Sequence, residues 1–123
     1  SYNQLPINTR SQTKEAKARL MEIVKPMIEA HAKEMGVKPE AVTAKKMISC
    51  WGQCDVKNRT LCFSVYLLLL PDWCQEHVVV HELCHLLEPS HNARFYALMT
   101  QYYPRWREAR KHTKAICGGT QNR

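Results

Sequence analysis

The sequence predicts an α+β domain in which a short antiparallel sheet packs against one central helix, with further helices following it. Three observations carry that reading. A stretch of helical period opens the chain, apolar alternation between turn signals marks its middle, and residues 72–88 run without Gly or Pro. With 123 residues it forms one domain, 1–123, able to bury roughly two-thirds of its unfolded surface.

In chain order, residues 11–35 read as a helix, since Leu20, Val24 and Met27 recur at helical spacing. Pro26 should kink or divide it, and Gly36 with Pro39 should end it. Residues 42–49 and 59–66 read as strands, the second from the alternation of Leu61, Phe63 and Val65. The intervening Asp-Val-Lys-Asn-Arg turn would join them as a hairpin. The apolar run Val65–Leu70 is too short for a membrane span and reads as core.

Asp72 is the expected N-cap of the next helix. Its Val78-Val79-Val80 run favours a strand in isolation, so burial must override local preference. Pro89 should end that helix and Ser90 should cap a new one. Helices at 91–103 and 105–115 then close the chain before a loose tail from Cys117.

The central helix carries His81-Glu82-x-x-His85. Four residues advance a helix by about 400°, so the two imidazoles sit one turn apart on one stripe and can reach one zinc ion. Glu82 lies about 100° away, where it can face a water activated by the metal without binding the metal. A catalytic zinc site needs a third protein ligand and an open position. His91, six residues beyond His85 and past the Pro89 turn, can supply it. Glu88, seven residues after His81, is its rival; His77, one turn before His81, reads as a flanking residue. Residues 72–91 hold Asp72, Glu76, Glu82 and Glu88 with no Lys or Arg, so a cation meets no competing charge there.

The run HVVVHELCHLLEPSHNARFYALM, with YYPRWREARK beyond it, resembles the YgjP-like group of WLM-type zinc metallopeptidases. That group is marked by H-E-L-x-H, a third His after five intervening residues, and an aromatic pair, here Phe95-Tyr96. Trp51-Gly52-Gln53-Cys54 is similar to the group's W-G-S-C element, with Gln53 for Ser and Cys50 where Arg is usual. The similarity covers roughly residues 45–115. It implies a small zincin-like fold, zinc held by His81, His85 and His91, Glu82 as catalytic acid and base, and a peptide or protein substrate. It also implies that this is the C-terminal catalytic part of a longer protein, since the chain opens on Ser1. In zincin-type folds a strand beside the active helix receives an extended peptide; residues 59–65 are the candidate edge, with an ordinary buried strand as the alternative. Tyr96, Tyr102 and Tyr103 are candidates for stabilising an oxyanion.

Of six cysteines Cys50-x3-Cys54 is the closest pair, and no C-x-x-C or Cys-His partner completes a site with it, which favours reduced thiols in a cytoplasmic protein. The net charge of +7 is uneven: residues 72–91 carry −4 and residues 92–123 carry +6. The basic stretch Arg105–Lys114 could meet nucleic acid or simply be a solvated helix face. WLM and SprT-like relatives include proteases acting near DNA. Two other readings stay open. YbeY-type endoribonucleases also space three His as H-x3-H-x5-H, but with Gly where this chain has Glu82; a non-catalytic nucleic-acid-binding module could keep a structural metal.

Overall fold

The computed structural model describes Leu5 and residues 7–117, with the side chains of Ile116 and Cys117 excepted. The chain begins with α1 (Arg10–Met35), entered through a capping box. The Thr9 hydroxyl accepts from the Gln12 amide at 3.1 Å, and the Gln12 side-chain oxygen accepts from the Thr9 amide at 3.0 Å. Ala16, Leu20, Val24, Ile28, Ala32 and Met35 form its buried stripe. Pro26 does not divide it: Pro26 is exposed, while Val24 and Ile28 on either side are buried and hold the turn in place. Gly36 ends the helix at φ 71°, a left-handed conformation that glycine adopts without a side-chain penalty.

Three strands follow: β1 (Ala41–Lys45), β2 (Gly52–Asp55) and β3 (Thr60–Ser64), in the order β1-β3-β2. The expected α+β class holds, but the sheet is mixed rather than antiparallel. β1 pairs in parallel with β3, Ala41 opposite Thr60. The hairpin lies instead between β2 and β3, Gly52 opposite Phe63 and Asp55 opposite Thr60. Asp55 accepts from both the amide and the side chain of Asn58, and Arg59 takes φ 57° to close the turn. Consequently 59–65 is no edge: β3 is the central strand, with Leu61 and Phe63 buried, and the free edges belong to β1 and β2.

A 3-10 helix (Val65–Leu69) leads into α2 (Asp72–Cys84), which α1, α3, α4 and β2 surround. Its N-cap is Pro71, not Asp72, which occupies the first turn. Ten of its thirteen residues are buried, including the whole Val78–Val80 run, so tertiary burial does override β-branched preference. The helix stops at Cys84, four residues before the Glu88-Pro89 bond, and its last turn tightens through i to i−3 bonds such as His85 N–H to Glu82 O. After this come α3 (Ala93–Tyr102) and α4 (Trp106–Cys117). Asn92, rather than Ser90, caps α3 by accepting from the Phe95 amide at 3.0 Å. Apart from Cys117, the expected tail lies outside the described residues. No helix among those described is long and apolar enough to cross a membrane.

Candidate metal centre

His81 and His85 point from the last turn of α2 towards His91, which the 85–92 turn carries back over them. The Nε2 atom of His91 lies 3.2 Å from that of His81 and 3.0 Å from that of His85. His81 and His85 are buried and His91 is exposed, so the cluster meets solvent on one side. His85 Nδ1 lies 3.2 Å from the Glu88 carbonyl oxygen; an Nδ1–H donating there leaves its Nε2 with a bare lone pair. Nitrogens drawn to one point in this way suit a shared cation better than hydrogen bonding, because neutral imidazole has one N–H to give. Ligands at about 2.0–2.1 Å in a tetrahedron stand about 3.3–3.4 Å apart, close to the spacing here. Phe95, fully buried, packs against all three rings with centroids 4.6 to 5.0 Å away and fixes their orientation.

Glu82 is fully buried, and neither carboxylate oxygen has a hydrogen-bond partner among the described residues. Burial holds its carboxyl well above the usual carboxylate range. An orphaned carboxylate beside three converging imidazoles is the donor set a hydrolytic metal site needs, so these residues fit the ion that the sequence implies. Gly52 of β2 makes room for it. A Cβ there would stand 3.0 Å from Glu82 Cγ and Oε2. The sequence reading gave Gly52 no role, although a glycine inside a strand does signal close approach by a neighbour.

Other residues behave less uniformly. The Glu88 carboxylate is not part of the cluster and organises the turn, accepting from the Ser90 amide at 3.2 Å and from Arg94 at 3.4 Å. Tyr103 is spent elsewhere: its hydroxyl donates to the Trp73 carbonyl and burial raises its pKa to about 12. Tyr96 does face the site, 6.5 Å from His91 between ring centroids. His77 is buried beside His81 with its Nδ1 unpartnered among the described residues, and burial first, then the Arg110 charge, brings its pKa down to about 4. On the basic stretch, Arg105 pairs with Glu108 and lies over Trp73, and Arg107 lies over Trp106. Free thiols remain at Cys50, Cys54, Cys62, Cys74 and Cys84.

Two cavities meet at the cluster. One of about 140 Å³ runs from His81 and His91 towards α4. A wider one of about 320 Å³ lies between His85, His91 and the Gln53–Val56 stretch that includes the end of β2. Residues 6–115 match the family described as YgjP-like, metallopeptidase domain. The fold is similar to that in the crystal structure of the metallopeptidase zymogen of Pyrococcus abyssi abylysin, with a TM-score of 0.70 and 18% identity over 80% of this chain and 97% of that one. No curated protein matches the sequence.

Proposed function

The chain belongs to the YgjP-like metallopeptidase domain family, and on that footing we propose that it is a zinc-dependent peptidase with its site at His81, His85, His91 and Glu82. The observation that carries this reading is the convergence of three Nε2 atoms, with a buried, unpartnered carboxylate on the residue that follows the first of these histidines. His81, His85 and His91 would hold the ion. When bound, zinc supplies a Lewis acid and brings the pKa of water to about 7. Glu82 takes the proton from the attacking water as the carbonyl carbon is approached, and later returns it to the departing amine. Tyr96, at the rim, is the tyrosine positioned to steady the oxyanion. An extended peptide would lie along the free edge of β2, which borders the wider cavity, in place of the 59–65 edge expected from the sequence.

The test pairs metal analysis with turnover. Wild type should carry one zinc per chain and cleave casein, His91→Ala should lose most of its zinc, and Glu82→Gln should keep zinc while losing at least about a hundredfold in rate. Casein degradation by Glu82→Gln at the wild-type rate would remove the peptidase assignment.

A further inference from the structure

The narrower cavity has a mixed wall: Trp51, Met99 and Trp106 supply apolar surface, two cations of α4, Arg110 and Lys114, line it as well, and no Asp or Glu does. Neither cation has an acidic partner among the described residues. The acid on α4, Glu108, is already held by Arg105. The Arg110 guanidinium sits 5.0 Å from the Trp106 ring centroid, which braces it at the wall. It is close enough for its charge to act on both His77 and His81. His77 lines the same cavity, is 5% exposed, and has an unpartnered Nδ1. A buried polar atom without a partner costs stability, and with its proton on Nδ1 this imidazole would donate to an acceptor that arrives with a ligand.

We infer that this cavity is a specificity pocket for a substrate carboxylate, received by Arg110 with Lys114 at its mouth and His77 deeper in. The inference rests on the peptidase reading above and adds the chemical class of substrate. With zinc in place the pocket would carry a marked excess of positive charge, which an anionic group balances. A carboxylate suits the guanidinium fork, which can hold it through two parallel hydrogen bonds. The volume of about 140 Å³ accommodates a short acidic side chain or a chain terminus but not an extended polypeptide. Two sources share this chemistry: an Asp or Glu side chain next to the scissile bond, and the α-carboxylate of a peptide C-terminus.

The experiment uses a matched set of peptides on the zinc-loaded enzyme: Asp or Glu against Asn or Gln beside the scissile bond, each with a free or an amidated C-terminus. Wild type should favour one acidic form, and Arg110→Gln should reduce the acidic-to-neutral ratio of kcat/KM by roughly tenfold to a hundredfold. A preference that follows the side chain identifies an endopeptidase subsite; one that follows the free terminus identifies a carboxypeptidase-like subsite. Binding of the same peptides to zinc-loaded Glu82→Gln, with and without Arg110→Gln, is read in parallel by calorimetry. Acidic peptides bound through Arg110 without cleavage in wild type would sink the peptidase reading while sustaining the pocket. Equal treatment of acidic and neutral peptides in both assays, or an acidic preference that survives Arg110→Gln, would overturn the inference. Arg110 is exposed, so its replacement leaves the fold intact.

Discussion

At the scale of single residues, the site depends on a position that has no functional group. Gly52 is where β2 passes closest to the Glu82 carboxylate, and a methyl group there would press to 3.0 Å on its Cγ and Oε2. Glu82 is fully buried among packed neighbours, so it cannot swing aside freely. Gly52→Ala is therefore expected to destabilise the fold by about 1–3 kcal/mol and to displace the carboxylate. A displacement of about 1 Å costs on the order of a hundredfold in rate. Zinc content should stay unchanged, because the atoms nearest a methyl group here all belong to Glu82. Metal analysis, thermal melting and turnover on one preparation distinguish this from general unfolding. A Gly52→Ala protein with wild-type melting and turnover would show that the close contact has no consequence.

At the scale of elements, the sequence was legible where a strong local pattern coincided with tertiary demand. Residues 72–88 hold no helix breaker, and the His-Glu-x-x-His spacing makes sense only on a helix, so α2, with His81 in its last turn and His85 at its C-cap, was readable despite three consecutive valines. β2 was not readable. It is four residues long, Gly-Gln-Cys-Asp, with a glycine and no apolar alternation, and its strand character arises from pairing with β3. Missing it forced the hairpin onto the wrong partner and put β3 at an edge. The α2–α3 turn was half legible: Pro89 announced a break, but the tightening at Cys84 and the cap at Asn92 depend on backbone bonds that no residue pattern encodes. That turn delivers His91 and is held at one end by Glu88 and at the other by Asn92. Asn92→Ala should cost about 1 kcal/mol of stability. Glu88→Ala keeps the backbone carbonyl on His85 but loosens the turn, and should weaken zinc binding by up to about tenfold. Competitive titration with a zinc chelator measures the second effect, and wild-type affinity in Glu88→Ala would refute it.

At the scale of the whole molecule, the three histidines differ in what supports them. His81 and His85 stand on the most enclosed helix of the fold, with α1, α3, α4 and β2 around it, whereas His91 stands on an exposed turn. Packing thus builds two-thirds of the proposed site without an ion, and an ion bound there would tie the outer turn to the core. Binding to the folded state alone must then raise stability by mass action. Zinc at a hundred times its dissociation constant contributes about 2.7 kcal/mol. In a chain of 123 residues that corresponds to a rise in Tm of about 10 °C. His91→Ala should melt close to the apo wild type, because its side chain is exposed and meets the core only through ring contacts to Phe95 and Tyr96, and should gain little from zinc. Differential scanning calorimetry of both proteins, with chelator and with zinc, checks the pair of expectations. If zinc left the wild-type Tm unmoved, or raised the Tm of His91→Ala just as far, then His91 would not be the residue through which the ion fastens the turn to α2.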